Sequence, residues 1–599
     1  MTRWAHDRCP RCHGSAKQFL LFFESMSHIA GREVATRLYP SGRRFPSWHS
    51  RQSPVPHTIR PMNGLMMDYP LTLSTIVRRA ETVFRRQDIV WRTADKSIRR
   101  YTCADFADRA RRLAQVLLDL GIRPGDRVAT LGWNHGPHLE AYFGIPLLGG
   151  VLHTLNLRLH PDELAYIVNH ADDRAILVDE SLLPLWEQVR PNVNVPITIV
   201  VGASKPVADG YLEYESLVAN AQPARDLPDP DERSAAAMCY TTGTTGNPKG
   251  VLYSHRAIVL HTFGLLLDQG MGLREADTVL PVVPMFHANA WGMPFGAIMV
   301  GAKFVMPGPH LDPASLVDLF VRERVTLTGG VPTIWMGVLQ YLDANPGAFD
   351  VSAIRAMYVG GSAVPQSLIE AFERRHGLRI LQAWGMTEMA PLGTVAHLPS
   401  AMSGASEEAK FSYRAKQGRP APFVEIRARN EDGLVPWDGR TMGELEVRGP
   451  WVASAYYNSP ASADRFTNDG WFRTGDIVTI DADATIQIQD RSKDLIKSGG
   501  EWISSVALEC ALMGHPAVAE AAVIPVSSEK WSERPLAAVV LKPGATASPA
   551  ELRAFLAPQF AKFWLPDAFE FIDAIPRTSA GKFKKSELRD RFKDYRLAE

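Results

Sequence analysis

Several short stretches of this sequence bring together residue types that do chemistry. The densest is Tyr240-Thr-Thr-Gly-Thr-Thr-Gly-Asn-Pro-Lys249-Gly250. An apolar run leads into hydroxyls, glycines and one lysine. Gly243 and Gly246 permit close backbone approach with exposed N–H groups. Thr241, Thr242, Thr244 and Thr245 add hydroxyl donors, and Lys249 adds positive charge. A polyphosphate is the ligand this set fits. The Walker pattern needs a lysine directly after the last glycine, followed by Ser or Thr. Here Asn247 and Pro248 intervene, which disfavours an ordinary P-loop NTPase.

Other stretches are weaker alone. Trp384-Gly-Met-Thr-Glu388 offers a flat indole face for a purine, a hydroxyl at Thr387 and a hard oxygen at Glu388 that suits Mg²⁺. Gly360-Gly361-Ser362-Ala363 is small enough for a flat base to lie against backbone, though by itself it reads better as a strand-to-helix turn. Thr474-Gly-Asp476 presents a carboxylate suited to two ribose hydroxyls. Asp490-Arg-Ser-Lys-Asp-Leu-Ile-Lys497 and Pro576-Arg-Thr-Ser-Ala-Gly-Lys582 would singly pass for a solvated turn and a surface lysine.

Taken together and in this order, these stretches resemble the signatures of the acyl-adenylate-forming (AMP-binding) enzymes. That family includes acyl-CoA synthetases, peptide-synthetase adenylation domains and firefly luciferases. The resemblance runs from about residue 70 to the end. It implies Mg²⁺ near Thr241 and Glu388, and Lys582 as the lysine that bridges the carboxylate and the α-phosphate. It implies ATP or AMP contacts at Thr242, Gly243, Thr244, Thr245, Gly246, Lys249, Gly361, Ser362, Ala363, Gln382, Trp384, Gly385, Met386, Thr387, Asp476, Arg491 and Lys493, the last also as the hinge of a mobile small domain. The family often has Tyr where Trp384 stands. The stretches Val283-Pro-Met-Phe-His-Ala-Asn-Ala-Trp291 and Ile496-Lys-Ser-Gly-Gly-Glu-Trp502 look like those of bacterial long- and medium-chain fatty acid–CoA ligases. This likeness implies acyl contacts at His287, Ala288 and Trp291, with Trp291 as a gate, adenylate contacts at Lys497 and Trp502, and a further contact at Glu533. The expected substrates are a fatty acid, ATP and CoA. An aryl-CoA ligase and an acyl-AMP ligase that loads a carrier protein are the alternatives. A binding protein without chemistry is disfavoured by the joint retention of Lys249, Glu388, Asp476 and Lys582.

The elements that must position these residues follow from pattern. Helical periodicity runs from Asp105 to Leu120. Strand signals stand at Arg127 to Leu131, Ala175 to Val178, Ile197 to Val201, Ala235 to Tyr240 and Met357 to Val359. Strands alternating with helices predict an α/β fold with parallel layers. Gly443 to Arg448 and Ile477 to Ile488 alternate as half-exposed strands, which adds a β-barrel-like part. A polar turn at 489–494 marks a boundary. Beyond it, strands at Ala521 to Val526 and Ala537 to Leu541 and a helix from Pro549 to Phe560 predict a small α+β domain. The expected domains are therefore 1–66, a basic extension; 67–490, the large AMP-binding domain; and 491–599, the mobile domain.

Length and composition agree. A chain of 599 residues exceeds one core. Lys+Arg and Asp+Glu are equal at 65 each, so no global charge argues for nucleic acid. Five sparse cysteines fit a reducing compartment, and a cytoplasmic location is expected. Cys9-Pro-Arg-Cys12-His13 is half a zinc pattern without a second pair nearby. Trp291 to Ala302 is too short and too rich in Gly and Pro to span a membrane. Loose membrane association and a homodimer both stay compatible with the resemblance. Residues 1–61 hold ten Lys/Arg against three Asp/Glu. They read as an early start codon, as a targeting leader or as neither, a disordered extension among the options, and stand outside the fold reasoning.

Overall fold

The computed structural model describes residues 64–241, 247–498, 501–578 and 582–597. The expectations placed on Thr242, Gly243, Thr244, Thr245 and Gly246, and on Cys9, Cys12 and His13, lie outside the described residues. By contact the chain divides into Met1–Asp68 and Tyr69–Glu599, and the sheets and helices of the fold belong to the second unit.

Two large α/β sheets carry it. One has seven strands among the described residues, ordered Leu212–Glu213, Ile197–Val201, Asp173–Asp179, Arg127–Leu131, Val151–Thr154, Ala235–Thr241 and Lys249–Ser254. All pairs are parallel except the last. The other has nine, with a parallel centre formed by Asp88–Arg92, Lys303–Met306, Thr278–Pro281, Leu327–Gly330, Ala356–Val359 and Ile380–Gly385. These strands are short, apolar and buried, as parallel strands covered on both faces must be. The helix Cys103–Asp119 begins with a capping box between Thr102 and Asp105. It buries Phe106, Ala110, Leu113 and Leu117 and stops before Gly121, whose φ is +92°.

A third sheet stands where the barrel-like part is expected. It is antiparallel and ordered Gly433–Leu434, Glu425–Asn430, Gly443–Arg448, Phe472–Ile480 and Ile486–Arg491. The alternation from Ile477 to Ile488 is not one half-exposed strand. It is two strands joined by a turn in which Asp481 Oδ1 accepts the Asp483 and Thr485 N–H groups. The first strand is buried along almost its whole length.

The last sheet pairs Glu501–Ile503, Ile496–Ser498, Ser532–Leu541 and Val518–Ser528, with Ala568–Phe571 on the other side of Ser532–Leu541. Two apolar clusters of its own, around Leu508, Val523 and Leu552 and around Ile524, Leu536 and Leu588, form its core. The helix expected at Pro549 to Phe560 ends at Leu556. Among the described residues no helix is long and apolar enough to cross a membrane.

Candidate active site

The parallel strands deliver their carboxyl ends to one place, where open α/β sheets bind ligands. Ala235–Thr241 and Lys249–Ser254 pair antiparallel, with Thr241 opposite Lys249. The two strands on either side of residues 242–246 are thus antiparallel neighbours. Gly250 lies against the Tyr240 ring, where a Cβ would come within 3.1 Å of Cζ.

The next strand ends supply the other groups. Gly361 takes a φ of +88° just after Ala356–Val359. Gly361 and Ser362 are exposed and Ala363 half-buried. Gln382, on Ile380–Gly385, is buried, and its Oε1 has no hydrogen-bond partner. Gly385 and Met386 lead into the short turn Thr387–Met389, and Met386 N–H donates to Pro391 O at 3.2 Å. The Tyr253 hydroxyl donates to Thr387 O at 2.6 Å, and Ala453 N–H donates to Glu388 O at 2.7 Å. These bonds fix the turn that carries Glu388.

Trp384 is 8% exposed. A Cβ on Gly393 would come within 2.5 Å of its ring, and its Nε1–H donates to Asp476 Oδ2 at 2.9 Å. In this geometry the indole braces the Asp476 carboxylate and offers little open face. Asp476 Oδ1 pairs with Arg491 Nε at 2.7 Å, and the two residues are cross-strand partners. Asp476 is 1% exposed, so it is fixed on both oxygens before any ligand arrives.

Lys582 reaches this centre from beyond the third sheet. A Cβ on Gly361 would lie 3.9 Å from Lys582 Cε. Burial, and Arg491 after it, push the Lys582 ammonium down to about 8, while Asp476 and Glu388 oppose the fall. Those groups therefore lie within electrostatic reach of one another. His287 lies within reach too: burial first, then Lys582 and Arg158, lowers its imidazole to about 4, so it is neutral at pH 7. Lys582 is charged below about pH 8 and loses its charge above. If it acts as a cation, kcat/KM for ATP, which reports the free enzyme, falls as pH rises through about 8. Residual activity of Lys582→Arg should lack that limb, because a guanidinium stays charged. A limb that persists in the variant would assign it elsewhere.

Sequence reasoning missed Tyr456. Its hydroxyl donates to Glu388 Oε1 at 2.5 Å, and Lys249 Nζ sits 5.1 Å from its ring centroid. One phenol thus ties the Glu388 carboxylate to Lys249. Tyr456-Tyr-Asn has no spacing that marks it, so only the fold reveals it.

The stretch from Ala288 to Gly292 is less regular. Ala288, Asn289, Ala290, Trp291 and Gly292 all have positive φ. The Cys239 thiol donates to Asn289 Oδ1 at 3.1 Å, and a Cβ on Gly292 would strike His261 at 2.6 Å. The Trp291 ring lies against Gly360 and Gly329. Met293–Val300 follows as a helix, buried from Met293 to Met299. Lys497 is exposed and faces half-buried Trp502 across a hairpin. The Lys497 N–H donates to Glu533 Oε2 at 2.8 Å. Lys493 is exposed in the turn after Ile486–Arg491.

Comparison with known proteins agrees with this geometry. The family model described as "AMP-binding enzyme" matches residues 78–457, and "AMP-binding enzyme C-terminal domain" matches 507–582. The chain is 50% identical over 534 residues to a long-chain-fatty-acid–CoA ligase of Thermus thermophilus, covering 88% of this chain and 97% of that one. It is 45% identical over 540 residues to a 3-methylmercaptopropionyl-CoA ligase of Ruegeria pomeroyi, covering 89% and 99%. A crystal structure of an anthranilate CoA ligase in complex with anthranoyl-AMP superposes with a TM-score of 0.78 at 26% identity, over 88% of this chain and 98% of that one.

Proposed function

Since this chain belongs to the AMP-binding enzyme family, as an adenylate-forming acid–thiol ligase, we propose that it activates a medium- or long-chain fatty acid and passes the acyl group to CoA. In the first half-reaction a carboxylate oxygen attacks the α-phosphorus of ATP. The bond to the α,β-bridging oxygen breaks, and pyrophosphate leaves with the electron pair. In the second, the CoA sulfur attacks the acyl carbonyl carbon, the bond to the AMP oxygen breaks, and the thiol proton passes to solvent.

The observation that carries this reading is Lys582 set against Gly361 in the pocket of Asp476 and Glu388. Charge grows on the α-phosphoryl oxygens during in-line attack, and an ammonium there stabilises it. Asp476 suits the ribose hydroxyls. Gln382 Oε1, buried without a partner, suits an exocyclic amine of the base. Thr241 and Glu388 form an all-oxygen donor set. Among the described residues no cluster of three ligating side chains stands ready for a metal. Mg²⁺, if bound, would be held by Thr241 and Glu388, oxygen donors of the kind this ion takes. When bound it neutralises charge on the phosphates. Lys493 is the hinge about which the small domain turns between half-reactions.

The acid is read from Trp291, from the buried apolar helix behind it and from the relatives. The relative named for 3-methylmercaptopropionyl-CoA supports a second reading, a short thioether acid. CoA-dependent AMP release over saturated C2 to C18 acids, with 3-(methylthio)propanoate, benzoate and cinnamate, separates the two. The best rate is expected with a medium or long saturated chain. A best rate with an aromatic acid overturns the fatty acid reading. Adenylate formation without CoA-dependent turnover favours carrier loading.

A further inference from the structure

Behind the lysine loop lies a buried ionic cluster that neither half-reaction uses. Lys585 is three residues after Lys582 and 9% exposed. Its Nζ pairs with Glu509 Oε1 at 2.7 Å and donates to Ser505 Oγ at 2.5 Å. Ser505 N–H donates to Asp490 Oδ2 at 2.9 Å, and its hydroxyl donates to the same oxygen. Asp490 and Ser505 are 1% and 0% exposed. Glu509 Oε1 also accepts the Val523 N–H at 2.7 Å.

The cluster straddles the turn that contains Lys493. Asp490 belongs to Ile486–Arg491, a strand of the third sheet, whereas Ser505, Glu509 and Lys585 belong to the small domain. Asp490 is followed by Arg491, which holds Asp476. A continuous path therefore runs from Trp384 through Asp476, Arg491, Asp490 and Ser505 to Lys585. Lys582 is three residues from Lys585, and the backbone at Lys582 and Lys584 is tied to Pro576 and Thr578. Thr578 N–H donates to Lys582 O at 2.7 Å, Lys582 N–H to Thr578 Oγ1 at 3.2 Å, and Lys584 N–H to Pro576 O at 2.7 Å.

We propose that Lys585, with Ser505 and Glu509, is a positioning device: it fastens the lysine-bearing loop to the strands that carry Asp476 and Arg491, and so holds the small domain in the adenylating orientation. This rests on the reading of Lys582 as the adenylation lysine. Stability alone is a poor reason for such a cluster, since well-packed apolar groups of the same volume serve as well. What a buried cation between two carboxylates provides is a single geometry. Burial, with Asp490 adding and Lys585 opposing, already pushes the Glu509 carboxyl up to about 7. Without Lys585 the two acids would be left together with no cation.

The test uses the full chain with Lys585→Met, Lys585→Arg and Ser505→Ala. Acid-dependent ATP–pyrophosphate exchange reads the first half-reaction. CoA-dependent consumption of a supplied synthetic acyl-adenylate reads the second. Lys585→Met should lower exchange turnover about 10-fold or more, as misplacement by a fraction of an ångström does. KM for ATP and the CoA half-reaction should each stay within about twofold, because Lys585 touches neither substrate. Lys585→Arg should restore most of the loss, and Ser505→Ala should show the same split. If Lys585→Met does not fold, Ser505→Ala decides by the same criterion. An equal fall in both half-reactions, or none in either, overturns the proposal. Wild-type enzyme without exchange overturns the adenylation reading instead.

Discussion

Lys582→Met is expected to lower acid-dependent ATP–pyrophosphate exchange by about 10²–10³-fold, the usual loss when one preorganised charge stabiliser is removed from a transition state. No neighbour can replace it. Arg491 is committed to Asp476 at 2.7 Å, and Lys249 lies over the ring of Tyr456, whose hydroxyl holds Glu388. The loss should fall on turnover, since the charge that Lys582 meets develops only during attack. The CoA-dependent consumption of supplied acyl-adenylate should stay within a few-fold of wild type, because no bond to phosphorus forms in that step. Thermal stability should be kept or slightly raised at neutral pH, since the burial that lowers the ammonium to about 8 disfavours its charged form in the folded chain. A near-normal exchange rate would remove Lys582 from the mechanism.

Asp476→Ala is expected to raise KM for ATP about 10-fold or more, since hydrogen bonds to a charged acceptor are worth about 1.5–3 kcal/mol. It has a second effect that a surface carboxylate would not. The Trp384 N–H loses its acceptor inside the protein, which costs roughly 1–3 kcal/mol of stability. Asp476→Asn separates the two effects. Its amide oxygen can still accept from Trp384, so the part of the stability lost through that N–H should return, while the Arg491 ion pair and the tight ATP binding stay lost. Initial-rate kinetics and thermal melts on both variants check this. If both variants bind ATP as wild type does, Asp476 does not hold the sugar.

The parallel strands are legible in the sequence because each is a short apolar run between turn residues. Arg127–Leu131 and Ile197–Val201 have the very bounds expected of them. The pair Phe472–Ile480 and Ile486–Arg491 is not legible, because alternation continues through the turn at Asp481 and hides it. Site residues embedded in dense motifs are legible as a set. Their partners are not. Tyr456 meets Glu388 across 68 residues, and Lys585 meets Ser505 across 80. Such pairs leave no local spacing, and only folding brings them together. Trp384 shows the converse. Its type suggests a stacking face, and its neighbours Gly393 and Asp476 show a further part that its type does not reveal, a hydrogen bond that braces the carboxylate.

The left-handed run from Ala288 to Trp291 bears on how this scaffold can be adapted. Each non-glycine residue there costs roughly 1–2 kcal/mol. The hydrogen bond from Cys239 and the close approach of His261 hold the backbone in place. A breeder of new acid specificities would find the turn itself a poor handle, since relaxing it lets the tryptophan drift. The side chain it displays is the better one. If the proposed acyl role of Trp291 holds, exchanging its side chain changes the shape offered to the acid without altering the anchors at Cys239 and His261.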